Sequence, residues 1–249
     1  MHEGKQAATA EQLHVIGAMA AELIESGQAV GLGSGRAAQA FVRKLGERIA
    51  KTGLNIVGIP TSETTAHLAR QCGIPLGNLS DISQLDMAID GADEVDTQFN
   101  LTKGGGGNLL REKVIASIAS RYIVVVGEEK LVAHLGMHFP VFVEVVEFAM
   151  PVVIRSLARL GAVATPRLTT RGELFHTDNG NPLLHAQLDS TDPQWLKPEL
   201  LDQKIRSIPG TIETGLFLNQ ADTVLVANCD GSVRKLQRQA GTYNESSTG

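Results

Sequence analysis

The chain has little of what marks several large classes of protein. Aromatic residues make up only 4% of it, which argues against a surface that stacks single-stranded nucleic acid. The formal net charge is −5, so the overall charge does not attract nucleic acid or an anionic membrane. No apolar run approaches the roughly 18 residues that span a bilayer. We therefore expect neither nucleic acid nor a membrane as a partner.

Cysteine is scarce as well. Cys72 and Cys229 are far apart in the sequence and belong to no metal-binding or redox motif, so we expect two reduced thiols in a cytosolic protein. The stretch Met1–Lys5 lacks the basic-then-apolar pattern of a signal peptide. Both observations predict a cytoplasmic location.

Hydrophobic residues, by contrast, are plentiful enough for a substantial core. They make up 43% of 249 residues, which suffices for one large domain or for one domain and a smaller one. In the first part of the chain, strands and helices alternate, which predicts a mainly parallel, doubly wound α/β sheet. The predicted elements of this part are helices at 11–26, 37–52, 65–71 and 108–120 and strands at 29–32, 55–59, 85–90 and 122–126.

The pattern changes after Gly136 to a β-α-β-β-α-β order, which predicts a small ferredoxin-like α+β unit. Its predicted elements are strands at 141–146, 164–169, 174–188 (broken by a turn at 178–181) and 214–218 and helices at 151–160 and 196–207. Strands at 224–227 and 232–236 would return to the first sheet. The predicted domains are therefore residues 1–137 with 219–249, and residues 138–218. We expect the polar tail 243–249 to be disordered.

Polar residues follow four strands of the predicted parallel sheet. Ligands bind beyond the carboxyl ends of such strands, so these segments should face one crevice. They are Gly33-Ser34-Gly35, Thr61-Ser62-Glu63, Asp90-Gly91-Ala92-Asp93 and Gly127-Glu128-Glu129-Lys130.

The glycines Gly31, Gly33 and Gly35 suggest a phosphate loop at the start of a helix. Their spacing is not that of a dinucleotide fingerprint, and no acidic residue ends the second strand to hold a ribose. It is not a Walker loop either, because no Gly-Lys-Ser/Thr follows. The free N–H groups of a helix start suit a phosphate monoester. The alternative is a tight turn without a ligand.

A second glycine loop, Gly104–Gly107, lies between Lys103 and the charged run Arg111–Lys113. Consecutive glycines cost conformational entropy, so they indicate close passage of the backbone past a ligand rather than a flexible surface loop. Helical spacing places Glu112 at the edge of the apolar face, where partial burial balances a helix N-terminus and Lys103. That balance suits a general base. The alternative is an exposed Glu112 paired with its charged neighbours.

Metal binding is a weaker interpretation of the same acidic stretch. Asp90 and Asp93, with Glu94 and Asp96 nearby, do not have EF-hand spacing. His134 and His138 have helical ligand spacing, but Gly136 lies between them and a proline follows. We therefore expect no metal site.

Several motifs spread over residues 11–236 together resemble type A ribose-5-phosphate isomerases. They are Val30–Gly35, Asp90–Glu94, Lys103–Gly106, Leu110–Lys113, Val141–Val146, Thr177–Asn181 and Ile208–Gly210. The resemblance implies a Rossmann-like domain with a small α+β domain, no metal or other cofactor, and a homodimer or homotetramer. It also implies that D-ribose 5-phosphate and D-ribulose 5-phosphate are interconverted, in the non-oxidative branch of the pentose phosphate pathway.

The resemblance also implies catalytic and substrate-binding roles for individual residues. Glu112 matches the general base, Lys103 the group that stabilises the developing oxyanion, and Asp90 with Asp93 the pair that contacts the sugar hydroxyls and assists ring opening. The residues it implies for substrate binding are Ser34, Gly35, Arg36, Ala37, Gly91, Ala92, Gly104, Gly105, Gly106 and Lys130.

The chain departs from the family pattern on the phosphate side. Where members of the family read Gly-Thr-Gly-Ser-Thr, this chain reads Gly33-Ser34-Gly35-Arg36-Ala37. The guanidinium of Arg36 and the methyl group of Ala37 thus replace two hydroxyls. The Arg36 side chain either binds the phosphate or points outward. The first helix also lacks the lysine expected in its first turns. An isomerase for another phosphosugar, a non-catalytic sugar-phosphate sensor and a metal-assisted enzyme remain alternatives.

Overall fold

The computed structural model describes residues 7–188 and 197–238. The N-terminal stretch, the start of the predicted helix at 196 and the predicted tail 243–249 lie outside these residues. In chain order the elements are α1 Ala10–Glu22, β1 Ala29–Leu32, α2 Gly35–Thr52, β2 Val57–Pro60, α3 Glu63–Gln71, β3 Met87–Asp90, β4 Glu94–Val95, β5 Leu101–Thr102, α4 Leu109–Ser117, β6 Tyr122–Gly127, β7 Val141–Val145, α5 Met150–Arg159, β8 Val163–Pro166, β9 Leu183–Gln187, α6 Pro198–Arg206, β10 Thr211–Thr214, β11 Leu216–Phe217, β12 Thr223–Ala227 and β13 Val233–Gln237.

The large sheet has the strand order β13-β12-β6-β3-β1-β2. All its pairs are parallel except β12 with β13. Its central strands β3, β6 and β12 are buried along their whole length, as expected where helices cover a parallel sheet from both sides. One face packs on α1 and α2 through Ile16 and Phe41, and the other packs on α4 through Leu109 and Ile115. The predicted doubly wound sheet, with the last two strands returning to it, is confirmed.

The second sheet has the order β10-β7-β9-β8 and is antiparallel throughout. Val153 of α5 and Ile205 of α6 pack with Val141 and Val143 in one apolar core. Phe142 and Leu183 instead belong to the core of the large sheet, so this unit is packed against the first. The predicted α+β unit is confirmed, whereas the exact domain boundaries stay a prediction.

A third, small sheet, β11-β5-β4, was not expected. Its two-residue strands are too short to give a periodic pattern. The predicted strand at 214–218 is wrong as one element, because Gly215 divides it between two sheets. Gly215 N–H donates to Phe142 O and Gly215 O accepts from Lys103 N–H, at 2.7 and 2.8 Å. A Cβ at Gly215 would lie 2.1 Å from Lys103 O, so only glycine allows this contact.

The predicted hairpin at 174–188 is only partly strand. Strand β9 forms at Leu183–Gln187, while the preceding turn is organised around the buried side chain of Glu144. The Glu144 carboxylate accepts hydrogen bonds from Thr177 Oγ1 and from the amides of Asn179 and Asn181. A tertiary contact therefore sets the shape of this turn.

Candidate active site

A cavity of about 610 Å³ opens at the carboxyl ends of β1, β3 and β6. All the predicted site residues line it except Asp90, which lies behind Lys103. The segment at the end of β2 does not line the cavity, so the prediction that it faces the crevice is wrong. Thr61 and Ser62 are buried and hydrogen-bond to the Ser34 hydroxyl from below the first glycine loop.

Lys103 lies between two buried carboxylates at the base of the cavity. Its Nζ is 3.2 Å from Asp90 Oδ2 and 3.4 Å from Glu112 Oε2, and it donates to Gly91 O at 2.5 Å. Neither of those carboxylate oxygens has a hydrogen-bond partner within the described residues. Glu112 is only 5% exposed and pairs with neither of its charged neighbours, so the alternative of a solvent-facing Glu112 is wrong.

The sequence around β3 explains how Asp90 is held. Asp90 is the last residue of β3, and its Oδ1 accepts the backbone N–H groups of Ser34 and Gly91 at 2.9 and 2.7 Å. A Cβ at Gly33 would lie 2.3 Å from that oxygen. Gly33 is therefore required by the Asp90 carboxylate, which ties the first glycine loop to the acidic segment.

Burial and neighbouring charges shift the pKa values of Glu112, Asp90 and Lys103. Burial, strengthened by the Asp90 and Asp93 carboxylates and opposed by Lys103, raises the pKa of Glu112 to about 8. Burial also raises the pKa of Asp90, against the pull of Lys103. Burial alone would lower the pKa of Lys103, but Asp90 and Glu112 outweigh it and hold that pKa above its ordinary value. A carboxyl that titrates near neutral pH beside a fixed ammonium group is suited to proton transfer.

The second glycine loop is fixed by specific contacts, so the alternative of a flexible surface loop is wrong. Gly104 and Gly107 have φ of +123° and +85°, and Gly107 N–H donates to Gly104 O at 2.8 Å. Gly105 N–H donates to Asp93 Oδ2 at 2.9 Å, and a Cβ at Gly105 would lie 2.8 Å from the other oxygen of Asp93. Positive φ and close approach explain why these positions are glycine.

On the opposite wall, the start of α2 faces the cavity with its backbone. The Ser34 hydroxyl points away into the buried hydroxyl cluster, while Gly35, Arg36 and Ala37 line the cavity. Arg36 Nη2 donates to Ala8 O at 3.0 Å, and Ala8 N–H donates to Glu129 Oε1 at 3.2 Å. The Arg36 guanidinium thus holds the segment before α1 at the edge of the cavity.

Lys130, the remaining predicted lysine, ends the short 3-10 turn that follows β6. Its Nζ is 4.3 Å from the centre of the Phe139 ring, and both residues line the cavity. The lysine therefore rests on an aromatic face at the cavity wall.

The residues considered for a metal have other partners. Glu94 is buried and accepts the N–H groups of Gly136, His138 and Phe139. Asp96 accepts from Gln98 and Asn100 within its own turn. Over residues 7–188 and 197–238, no three His, Cys, Asp or Glu side chains are grouped so that they could hold a metal ion. Within the same ranges, no helix is long and apolar enough to cross a membrane.

The sequence did not indicate several residues at this site. Ala8, Leu13 and Met137 line the cavity although they carry no chemistry that a motif would reveal. Arg167, from the α+β unit, donates from Nη1 to Gly105 O at 3.1 Å. Nothing in the sequence around Arg167 relates it to a loop about sixty positions earlier, so only the packing of the two units reveals this contact.

The fold and the site together define an α/β enzyme of the kind that moves a proton on a small anionic substrate. Residues 57–231 match the family model of ribose 5-phosphate isomerase A (phosphoriboisomerase A). A ribose-5-phosphate isomerase A of Listeria innocua is 42% identical over 91% of this chain and 99% of its own. One from Thermomicrobium roseum is 44% identical over 92% of this chain and 94% of its own. The chain belongs to the ribose 5-phosphate isomerase A family, as its motifs predicted.

Solved structures agree with this assignment. The ribose 5-phosphate isomerase A of Methanocaldococcus jannaschii superposes with a TM-score of 0.86 at 38% identity, covering 92% of this chain and 100% of that one. A D-ribose-5-phosphate isomerase in complex with phospho-erythronic acid gives a TM-score of 0.87 at 37% identity, covering 93% of this chain and 100% of that one.

Proposed function

We propose that this protein is an aldose–ketose isomerase that interconverts D-ribose 5-phosphate and D-ribulose 5-phosphate in the non-oxidative branch of the pentose phosphate pathway. The observation that carries the proposal is the buried Asp90–Lys103–Glu112 cluster at the base of an open cavity. Such a cluster is costly to bury, and two of its members, Lys103 and Glu112, line the cavity in which a substrate would bind.

In this proposal Glu112 is the base. From the open-chain aldehyde, its carboxylate takes the C2 proton, and the electron pair of that C–H bond forms the C1–C2 double bond of an enediolate. The carbonyl electrons move to O1, next to Lys103. The same carboxyl then gives its proton to C1 while C2–O2 becomes the ketone. The net change moves one hydrogen from C2 to C1 and one proton from O2 to O1.

The other predicted residues receive roles from their positions around the cavity. Asp90 and Asp93 would bind sugar hydroxyls and assist ring opening. The backbone N–H groups at the start of α2 would bind the phosphate at the positive end of the helix dipole. Lys130, on the cavity wall, would add positive charge on the phosphate side.

Three further expectations belong to the same proposal. Residues 1–137 with 219–249 would form the catalytic domain, and residues 138–218 the smaller one. The protein would act in the cytoplasm. It would also be a homodimer or homotetramer, which size-exclusion chromatography with light scattering would measure.

A direct assay tests the proposed function. Purified protein is given ribose 5-phosphate, and ketose formation is followed beside a panel of other aldose phosphates. We expect ribose 5-phosphate to have the highest kcat/KM and activity to survive EDTA. Binding without turnover of any sugar would indicate the sensor, and loss of activity in EDTA would indicate a metal-assisted enzyme.

One observation favours a second candidate, an isomerase for a different phosphosugar. Arg36 stands where the family has a hydroxyl, and its guanidinium lies at the edge of the cavity beside Ala8. It would change the space and charge around the distal end of the substrate. If another aldose phosphate exceeds ribose 5-phosphate in the same panel, this second candidate is the better one.

A further inference from the structure

We infer that Arg167 is a positioning residue for the reaction, acting through the peptide between Gly105 and Gly106. The inference rests on the proposed function, because it concerns the charge that forms on the substrate oxygen. Arg167 belongs to the smaller α+β unit, whereas the glycine loop belongs to the part of the chain that carries Lys103 and Glu112.

Two contacts fix the Arg167 guanidinium, and a backbone hydrogen bond supports them. Nη1 donates to Gly105 O at 3.1 Å, and the guanidinium carbon lies 3.9 Å from the centre of the Phe175 ring. The backbone of Phe175 in turn donates to Arg167 O at 3.0 Å, so the arginine and its aromatic support form one unit. A planar cation stacked on a ring loses little freedom when it donates a hydrogen bond, so it holds its acceptor in a defined place.

Because the peptide bond is planar, the hydrogen bond from Arg167 to Gly105 O also sets the direction of the Gly106 N–H. The C=O of Gly105 and the N–H of Gly106 belong to one planar trans peptide and point in opposite directions. Because Arg167 draws the carbonyl toward the α+β unit, the Gly106 N–H is aimed the other way. Within the described residues that N–H donates to no protein group, and Gly106 lines the cavity.

The neighbouring peptide bond is fixed as well, by a different residue. Gly105 N–H donates to Asp93 Oδ2, so that donor is already used. Glycines have no side chain to hold their own orientation, and both peptide orientations are open to them. Arg167 therefore selects the orientation in which the free Gly106 donor, together with Lys103, faces the developing oxyanion.

Close packing leaves the arrangement little room to relax. A Cβ at Gly107 would lie 2.6 Å from the Phe175 ring and 3.2 Å from Arg167 Nη1. The Arg167–Phe175 pair thus packs against the loop at Gly105 and Gly107, and a change in the arginine alters the loop directly.

The test compares two ligands that differ only at the reacting end, where one is an anion and the other is neutral. Phospho-erythronic acid carries a carboxylate there, and erythritol phosphate carries an alcohol. Arg167→Met should lower kcat about 10- to 100-fold while KM changes by less than about threefold. Its Kd for the acid should rise by the same factor as kcat falls, while its Kd for erythritol phosphate should change by less than about threefold. Arg171→Met, which changes an exposed arginine four residues further along the chain, is the matched control and should behave as wild type.

The outcomes separate three cases. An equal loss of affinity for both ligands, or a kcat within about threefold of wild type, overturns the inference. If the wild-type protein itself does not isomerise ribose 5-phosphate, the proposed function fails first. Should Arg167→Met not fold, Arg167→Lys keeps the charge but loses the stacked fork, and it must show the same loss for the acid alone.

Discussion

Two neighbouring residues of α4, Glu112 and Lys113, are both buried and charged, yet their surroundings differ completely. Lys113 Nζ has an acceptor for each of its three protons, in Glu213 Oε1, Thr214 O and Leu216 O at 2.9, 2.7 and 2.8 Å. The cluster around Glu112 has two carboxylates for one lysine, and oxygens without hydrogen-bond partners among the described residues. One cluster is satisfied by the fold, and the other is left open toward a cavity.

The Phe217 ring lies between the two clusters. It is 4.9 Å from Lys113 Nζ and 5.6 Å from Lys103 Nζ, measured to the ring centre. Unsatisfied charge is costly in a dry interior. Neither burial nor an unpartnered oxygen distinguishes the two clusters by itself, because Glu144 Oε2 is also buried without a hydrogen-bond partner among the described residues. Their positions differ: Lys103 and Glu112 line the cavity, and Lys113 does not.

The largest expected effect comes from removing the proposed base, Glu112. Glu112→Gln keeps the shape of the side chain but cannot take a proton at neutral pH, so we expect kcat to fall by about 10²- to 10⁴-fold with substrate affinity retained. Steady-state kinetics and calorimetric binding of ribose 5-phosphate measure the two quantities. Near-normal turnover in this variant would remove Glu112 from the mechanism.

The dependence of kcat/KM on pH should report the titration of Glu112. Because the pKa of Glu112 is raised to about 8, its carboxylate form is scarce at lower pH, and kcat/KM should fall by about tenfold per unit below that value. The stability of the fold should change in the opposite direction to the activity, because an ionised, buried Glu112 lowers the free energy of unfolding. Protonated Glu112 is favoured in the folded state, so the cost is absent below the unfolded pKa near 4.5 and complete above about 8. Urea unfolding across this range should show stability falling with pH, and Glu112→Gln should flatten that slope.

The structural cluster should respond in stability rather than in chemistry. Lys113→Met leaves Glu213 and two carbonyls without their donor, and Arg206, 3.2 Å from Glu213, compensates only in part. We expect a loss of about 3 kcal/mol in the free energy of unfolding, measured with urea. Lys235→Met, at an exposed position of β13, is the control and should change little. A stable Lys113→Met would contradict the assignment of this cluster to the fold.

The smallest effect is expected at Arg111, the third charge in the same run of α4. Its guanidinium bridges Glu63 Oε1 at 2.9 Å and Asn179 Oδ1 at 3.0 Å, but Glu63 is 70% exposed. Solvent screens such a pair, so Arg111→Met should cost at most about 1 kcal/mol in unfolding free energy. A loss as large as that of Lys113→Met would show that the contact between the two units depends on this bridge.

Much of the fold could be predicted because its elements have strong local signals. Alternating strands and helices gave the parallel sheet, and the change of order after Gly136 gave the α+β unit. The acidic and glycine-rich segments at strand ends predicted the site residues, including Glu112 at the edge of an apolar face. Elements of two residues, such as β4 and β5, and the division of one strand at Gly215 had no such signal, because pairing partners distant in sequence create them.

The sequence by itself predicted residues that line the cavity and three of the four strand ends that meet there, because motif spacing and strand direction are local properties. Only the tertiary structure decided their condition. It buried Glu112 beside Lys103, turned the Ser34 hydroxyl inward and set Arg167 on the Gly105 carbonyl. Burial, pKa and hydrogen-bond satisfaction depend on what packs around a group from remote parts of the chain, and no local pattern contains that information.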